Sequence, residues 1–267
     1  MMAFTLHIPR WQTGRIHFVV GIVTMMLSCT PAMADCIGRD DALGTSRILA
    51  VDMHTPRVGH KHFPDTLPLK EKEVVLTFDD GPFPPTTSKI LDALKAECVH
   101  ATFFMVGRMA AAFPALAKRI AAEGHTIAYH SYNHPLLTRL RPDKAMAQID
   151  RGIDAVDAAA FGASGEPPRP VFFRFPGFAS SPALLERVAE RNMVVFGADL
   201  WLSDWNQMTP EQELRQVTAR LSASGGGILL MHDTKRATAA MLPVLLRQLK
   251  ARGFQVVHAV PAVPGRP

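Results

Sequence analysis

The feature that most constrains the fold of this chain is a regular alternation of two kinds of segment from residue 73 onward. Short apolar runs rich in β-branched and aromatic residues cover 74–79, 101–107, 125–130, 171–175, 193–198, 227–232 and 254–259. Between most of them lie stretches with helical spacing of apolar residues, at 86–95, 109–123, 142–160, 182–191, 209–223 and 236–252. Alternation of this kind indicates parallel strands with helices packed outside them.

Length and composition favour one large domain over two small ones. The chain has 267 residues, of which 48% are hydrophobic and 20% charged, enough for a sizeable core. We therefore predict an α/β fold for residues 73–260, a distorted or incomplete (β/α) barrel of about seven parallel strands with outer helices. An open doubly wound sheet is the alternative. Residues 35–72 are expected to be an irregular lead-in, and residues 261–267 a disordered tail.

The N-terminus has the layout of a secretory signal peptide. Arg10 and Arg15 precede the apolar run 18–27, and a small-x-small site ends at Ala34. We predict a signal peptide over 1–34 that is cleaved after Ala34, and hence a secreted or periplasmic protein. Because the apolar run is too short for a good transmembrane span, no stable membrane span is expected after cleavage.

The predicted cleavage and export determine which cysteines remain in the mature protein and whether they can form a disulfide. Cleavage would remove Cys29 and leave Cys36 and Cys98. In an exported protein these two could form one disulfide, or Cys98 could be a buried thiol at the end of an apolar helix face. Spacing alone does not decide between the two.

The net charge of +5 at pH 7 does not indicate a nucleic-acid-binding protein. No dense basic run with interleaved aromatic residues occurs in the sequence, so no nucleic-acid partner is predicted. A mildly basic surface would suit an anionic cell-envelope polymer, and solvated helix faces explain the charge equally well.

Polar residues collect at the carboxyl ends of the predicted strands, where parallel barrels gather their chemistry. These residues are Asp79, Asp80, His130, Arg174, Asp199 with the loop to Asp204, His232 and Asp233.

The first of these ends carries two adjacent carboxylates. Adjacent residues on a strand point to opposite faces, and two nearby carboxylates repel each other unless something compensates them. A turn at Gly81 and Pro82 would let Asp79 and Asp80 point into one pocket, where a cation would compensate them. An ordinary Asp-Gly turn is the alternative.

A pair of histidines supplies candidate ligands for that cation. His130 and His134 are four residues apart, so in a helical turn they would share one face and could bind one metal ion. Such a pair alone is weak evidence, because histidine is also an ordinary polar residue. Two histidines with one Asp would leave coordination positions open, as in a catalytic site. The other Asp would then be free to act as a base.

Five short segments resemble, in order, the motifs of the polysaccharide deacetylases, carbohydrate esterase family 4, also called the chitooligosaccharide deacetylase homology domain. The resemblance runs from about Val74 to His258, and residues 101–107 are similar to the family's second strand. The segments are TFDDG at 77–81, HSYNH at 130–134, RFPG at 174–177, DW at 204–205 and LLMH at 229–232.

The resemblance implies a metal-dependent hydrolase. Asp80, His130 and His134 would hold one divalent ion, commonly zinc, with cobalt or another divalent ion as alternatives. Asp79 would be the general base that takes a proton from the attacking water. Arg174 would orient Asp79 and keep it ionised.

The later motifs imply the groups that handle the leaving amine and the acetyl group. His232 would be the general acid that protonates the amine, and Asp204 would hold His232 in the required tautomer. Trp205 and Leu230 would form an apolar wall for the acetyl methyl. A backbone N–H after Pro176 would help to stabilise the oxyanion.

The sequence departs from the family pattern at two places. In the third motif Pro176 is followed by Gly177 and then Phe178, whereas the family places an aromatic residue before the glycine; the oxyanion donor is therefore assigned to the Gly177 N–H. In the fourth motif Trp201 occupies a position where the family has Asp. Trp201 could line a subsite for sugar stacking or fill the core.

The leading prediction is removal of N-acetyl groups from a polysaccharide that contains N-acetylglucosamine: peptidoglycan, chitin oligomers or an exopolysaccharide. One alternative is an O-acetyl esterase that acts on xylan with the same site. Another is a catalytically silent carbohydrate-binding protein. The choice of polymer and the oligomeric state are left open, since the fold does not determine them.

Overall fold

The computed structural model describes residues 1, 36, 38–52, 54–162 and 171–262. Apart from Met1, the predicted signal peptide lies outside these residues, as does most of the predicted tail. No helix in the described ranges is both long and apolar enough to cross a bilayer.

The described residues form a parallel sheet of ten strands. The strands are β1 Thr45–Val51, β2 Arg57–Val58, β3 Glu73–Asp79, β4 Thr102–Met105, β5 Thr126–Tyr129, β6 Phe172–Phe173, β7 Val194–Phe196, β8 Leu200–Trp201, β9 Gly227–His232 and β10 Gln255–Pro261.

Strand β3 is the centre of a distorted barrel. One edge of β3 pairs with β9 from Val74 to Asp79, and its other edge pairs with β10 at its start and with β4 at its end. The barrel runs in the order β8-β9-β3-β4-β5-β6-β7, with β2 beyond β7 and β1 outside β10. No ladder joins β7 to β8 among the described strands, so the barrel is open there. The predicted α/β barrel class is thus confirmed.

Seven α-helices in the described residues surround the sheet. They are α1 Thr86–Ala96, α2 Gly107–Ala112, α3 Pro114–Ala122, α4 Pro142–Ala160, α5 Pro182–Ala189, α6 Pro210–Ser224 and α7 Arg236–Ala251.

Side-chain caps mark the start of two helices. The Ser181 hydroxyl accepts a hydrogen bond from a backbone N–H in the first turn of α5. Thr209 and Gln212 form a reciprocal capping box at α6, and proline follows each cap at the first helical position. These contacts satisfy backbone N–H groups that have no partner within the helix.

The strands separate two apolar clusters. One contains all the buried helix residues of the core together with Val74, Leu76 and Phe78 of β3. The other contains Val75 and apolar residues from most of the strands but none from a helix, so it fills the barrel interior. Because side chains alternate along a strand, Asp79 points into the interior with Val75.

The lead-in, predicted to be irregular, contains β1 and β2, and the short strand β8 was also not predicted. Strands β2 and β8 have two residues each, too few to show a period. Strand β1 lies at the edge of the sheet against β10 and is only partly buried, so its sequence lacks a continuous apolar run.

Cys36 and Cys98 form a disulfide, with Cα atoms 5.7 Å apart. Cys98 follows α1 and precedes β4. The bond therefore lies at the amino-terminal end of the barrel strands, opposite the end at which the polar residues collect.

Candidate active site

The predicted site residues meet at the carboxyl ends of four barrel strands. Val75, Ala128, Phe172 and Ile228 point into the barrel interior. Side chains an even number of positions further along share that direction. The residues at those positions are Asp79, His130, Arg174 and His232.

The Asp79 carboxylate is held by a fully buried arginine. Arg174 Nη1 donates to Asp79 Oδ1 at 2.6 Å and to Thr77 Oγ1 at 2.9 Å. The Nε and Nη2 atoms of Arg174 donate to the carbonyls of Phe196 at 3.2 Å and Gly197 at 2.8 Å. Burial raises the pKa of Asp79, and the positive charge of Arg174 opposes this shift. Thr77 was not predicted as part of the site.

Asp80 reaches the same pocket because its own backbone reverses. Its φ is +79°, a left-handed conformation that is uncommon for a residue other than glycine. The turn was predicted from the sequence at Gly81 and Pro82. In the structure it begins one residue earlier, at Asp80. The Asp80 Oδ1 atom is buried and accepts no hydrogen bond from any described residue.

A second buried carboxyl group lies directly under the turn. A Cβ on Gly81 would lie 1.9 Å from Asp233 Oδ2, so only glycine fits at this position. The Thr87 hydroxyl donates to Asp233 Oδ2 at 2.7 Å. Burial raises the pKa of Asp233 to about 7. Asp233 thus supports the loop that carries the carboxylate pair.

The two histidines do not lie on a helical turn, so that expectation was wrong. Residues 130–134 form no helix, and Ser131 and His134 have φ values of +62° and +60°. The backbone N–H of His134 donates to Ser131 Oγ at 3.1 Å. This tight loop still brings the rings of His130 and His134 to a centroid distance of 4.8 Å.

The orientation of His130 leaves one ring nitrogen free to bind a cation. Its Nδ1 lies 2.7 Å from the Arg174 carbonyl oxygen. Since a carbonyl only accepts, Nδ1 carries the proton and Nε2 presents a lone pair. Burial lowers the pKa of His130 to about 3, so the ring is neutral.

The geometry fits one divalent ion. The potential ligand atoms of Asp80, His130 and His134 all lie within 4.8 Å of one another. Asp80 Oδ1 lies 3.3 Å from His134 Nε2 and 3.7 Å from His130 Nε2. The carboxylate oxygen without a partner and the neutral imidazole nitrogen are the donors that such an ion binds.

His232 and Asp204 form a close pair on the other side of the pocket. The Nδ1 of His232 lies 2.7 Å from Asp204 Oδ1, and its backbone N–H donates to Asp204 Oδ2 at 2.7 Å. Burial alone would lower the pKa of His232, but the hydrogen bond and charge of Asp204, together with the charges of Asp79 and Asp80, outweigh burial and raise that pKa to about 9. The Nε2 atom is 3.9 Å from Asp80 Oδ2.

A second buried acid stands behind Asp204 and was not predicted. The Thr238 hydroxyl lies 2.9 Å from Asp204 Oδ2 and 3.1 Å from Glu213 Oε2. The hydroxyl has one proton and can donate to only one of them, so the other contact requires a protonated carboxyl group. Burial and the charge of Asp204 raise the pKa of Glu213 to about 7, which favours Glu213 as the protonated acid below that pH. A signal in the sequence could have revealed Glu213: it is an acidic residue on the apolar stripe of α6, four positions before Val217.

The third motif forms a short 3-10 turn over Pro176–Phe178, in which Gly177 has a φ of +58°. The Gly177 N–H donates to no described residue. The Phe178 ring stacks on His62 at a centroid distance of 3.8 Å. The turn therefore presents an unused backbone donor, as a candidate oxyanion site requires.

Aromatic rings extend from the catalytic end of the barrel. The Trp205 side chain is 49% exposed, and its ring lies perpendicular to that of His232 at 6.1 Å. Trp201 is half-buried, 5.8 Å from Trp205, with Lys61 Nζ 5.4 Å from its ring centroid. Leu230 is buried and shares the interior direction of Ile228.

Asp199, which also follows a predicted strand, lies outside this constellation. Its carboxylate accepts hydrogen bonds from the His60 N–H, the Thr66 hydroxyl and the Ile228 N–H, each at 2.8 Å. Asp199 therefore ties the lead-in to the barrel.

Comparisons with known proteins show which family this chain is similar to. The sequence profile described as "Polysaccharide deacetylase" matches residues 66–196. A peptidoglycan-N-acetylglucosamine deacetylase of Bacillus cereus is 33% identical over 194 residues, which cover 71% of this chain and 68% of that protein. A peptidoglycan-N-acetylmuramic acid deacetylase of Bacillus subtilis is 33% identical over 196 residues, or 72% of this chain.

A solved peptidoglycan deacetylase from Bdellovibrio bacteriovorus superposes with a TM-score of 0.74 at 32% identity and covers 85% of this chain. The similarity spans only part of some of these proteins. It covers 39% of the Bacillus subtilis protein and 62% of the Bdellovibrio chain.

Proposed function

Because this chain belongs to the polysaccharide deacetylase family, we propose that it is a metal-dependent hydrolase that removes N-acetyl groups from a glycan containing N-acetylglucosamine. Peptidoglycan is the preferred polymer, since several relatives are named as peptidoglycan deacetylases. One observation carries the proposal: three potential metal ligands lie close together, beside a buried carboxylate and a histidine that is paired with an acid.

We assign the ion to Asp80, His130 and His134, with zinc preferred and cobalt as an alternative. Two nitrogen ligands and one oxygen ligand suit zinc and leave positions open for water and substrate. When bound, the ion would polarise the acetyl carbonyl and lower the pKa of water.

Asp79 is assigned as the general base. Its carboxylate lies at the same pocket, with Oδ2 3.7 Å from His130 Nε2, and would take the proton of the attacking water. The Arg174 contact supports this role because it fixes one carboxylate oxygen and favours the ionised form. The second oxygen remains free to accept the proton.

His232 is assigned as the general acid that protonates the departing amine. Its raised pKa keeps it protonated at neutral pH, the state that an acid requires. Asp204 accepts the Nδ1–H and so aims the Nε2–H toward the pocket. The Gly177 N–H after Pro176 would donate to the oxyanion, and Trp205 and Leu230 would contact the acetyl methyl.

Two alternatives remain as test outcomes. An O-acetyl esterase would use the same groups, because an alcohol leaves more easily than an amine. A silent carbohydrate-binding protein would need neither a base nor an acid. The Arg174–Asp79 and Asp204–His232 pairs therefore favour an enzyme.

The test is acetate release by the zinc-loaded protein from peptidoglycan, chitin oligomers and acetylxylan in parallel. Asp79→Asn and His232→Ala are each expected to lower the rate by about 10²–10⁴-fold and to retain the metal. Asp154→Asn, an exposed change on α4, serves as control. Unchanged rates in both site variants would refute the mechanism, and release from acetylxylan alone would identify the esterase.

Export by an N-terminal signal peptide is part of the proposal. N-terminal sequencing of the exported protein should begin at Asp35. Recovery of exported protein that still begins at Met1 or Met2 would contradict it.

A further inference from the structure

We propose that a cleft beside the cation-binding triad recognises a carboxylate carried by the glycan, and that Arg108 is the residue that binds it. The cleft has a volume of about 350 Å³, and its lining includes Asp80 and His134 of the triad together with Arg108. The proposal rests on the proposed function, because it names a substituent of the substrate bound at that site.

Arg108 is held in place by its backbone. The N–H groups of Gly107 and Arg108 donate to the carbonyls of Ser131 and Tyr132, each at 2.9 Å. A Cβ on Gly107 would lie 2.9 Å from the Cα of Gly152, so α2 packs closely on α4 here. The start of α2 is thereby joined to the loop that carries His134, and Arg108 has a defined position relative to the triad.

The Arg108 side chain is exposed, and it makes no ion pair or hydrogen bond with any residue that the structure describes. Some other arginines are neutralised locally: Arg119, for example, contacts two acids, Asp92 at 2.6 Å and Glu123 at 2.7 Å. The unpaired guanidinium at the cleft is therefore available to a ligand.

The charge of the cleft favours an anion. The acid that lines it is Asp80, and a divalent ion at the triad would more than compensate that carboxylate. The cleft would then have a net positive charge, to which Arg108 contributes a guanidinium whose planar donors match a carboxylate. A neutral sugar would leave this charge unused.

Two apolar side chains specify the rest of the ligand. Phe83 is 40% exposed and lines the cleft with the half-buried Met109. A short alkyl carboxylate would place its carbon atoms against Phe83 and Met109 and its oxygen atoms on Arg108. The lactyl ether of muramic acid has this composition and is attached next to the acetamide of its sugar.

The experiment compares kcat/KM on three substrates: peptide-free glycan strands with free carboxylates, the same strands with their carboxylates converted to methylamides, and chitin oligomers. For Arg108→Gln we expect a loss of about 10- to 100-fold on the carboxylate strands, and less than about 2-fold on the two neutral substrates. Arg247→Gln removes one exposed charge near the end of α7 and is expected to match the wild type on all three.

Equal effects of Arg108→Gln on charged and neutral substrates, or no effect on either, would overturn the proposal. Mass spectrometry of the products shows whether the carboxylate belongs to the sugar that loses its acetyl group or to its neighbour. If no substrate releases acetate, the proposed function fails. Calorimetric binding of charged and amidated strands to wild-type and Arg108→Gln protein then still decides whether the carboxylate site exists.

Discussion

Arg174 donates a 2.6 Å hydrogen bond to Asp79, and the two side chains are 0% and 3% exposed. Arg174 directly follows β6 and Asp79 ends β3; these strands are not neighbours in the sheet, so the contact crosses the barrel interior. A buried charge without a partner is strongly destabilising. The stability of the barrel and the ionisation of the proposed base therefore depend on the same contact.

Replacing Arg174 with Met should destabilise the protein by about 3–5 kcal/mol, because it leaves Asp79 buried without compensation. Denaturant unfolding measures this loss, and acetate release should fall with it. Adding Asp79→Asn to Arg174→Met should recover part of the lost stability, since the unpaired charge is then removed. A single Arg174→Met variant as stable as the wild type would contradict this account.

Replacing Asp204 with Asn should move the alkaline limb of the pH profile of kcat/KM to lower pH. The hydrogen bond and charge of Asp204 raise the pKa of His232, and the proposed acid must be protonated to act. Loss of that charge lowers the pKa, so the active form disappears at a lower pH. An unshifted limb, compared with the Asp154→Asn control, would argue against His232 as the acid.

The Glu213→Gln variant should show a weaker dependence of stability on pH. The pKa of Glu213 is raised from 4.5 to about 7, so between these values the folded protein keeps a proton that the unfolded chain releases. Wild-type stability should therefore fall as the pH rises from 4.5 to 7.

Glutamine cannot ionise, and its amide can donate to Thr238 as protonated Glu213 does. From pH 5 to pH 8, the free energy of unfolding of the variant should rise relative to that of the wild type by on the order of 1–3 kcal/mol. Unfolding measured at both pH values tests this. Glu186→Gln, an exposed change on α5, is the control. Parallel pH curves for the wild type and Glu213→Gln would refute a protonated Glu213.

Replacing Cys98 with Ser should lower stability without lowering activity at a temperature where the variant is folded. The disulfide joins residues 62 positions apart, and loss of such a link typically lowers the free energy of unfolding by about 2–4 kcal/mol. The bond lies at the end of the barrel opposite the active site, so acetate release should be retained. A variant that folds but has lost activity would show that the link also positions the site.

Metal removal should lower the thermal midpoint, and zinc should restore it. A ligand that binds only the folded state stabilises it by an amount that grows with the logarithm of its concentration relative to its Kd, and the ion would compensate Asp80 beside Asp79. His134→Ala should abolish most of the zinc-dependent shift. A shift that is the same in His134→Ala and the wild type would place the ion elsewhere.

Much of the candidate site could be predicted because it depends on local sequence. Apolar runs of strand length end at Asp79, His130, Arg174 and His232, and parallel strands bring such ends to one edge. The prediction that His130 and His134 lie on a helical turn was wrong. A spacing of four residues does not distinguish a helical turn from a tight loop with residues in the left-handed region of φ and ψ.

The sequence by itself determined seven of the ten strands with the helices between them, the α/β barrel class and the family. Only the tertiary structure decided two further contacts: Glu213 shares the Thr238 hydroxyl with Asp204, and Cys36 is bonded to Cys98. The physical reason is that burial and charge compensation depend on neighbours far apart in the chain, and no local pattern specifies those neighbours.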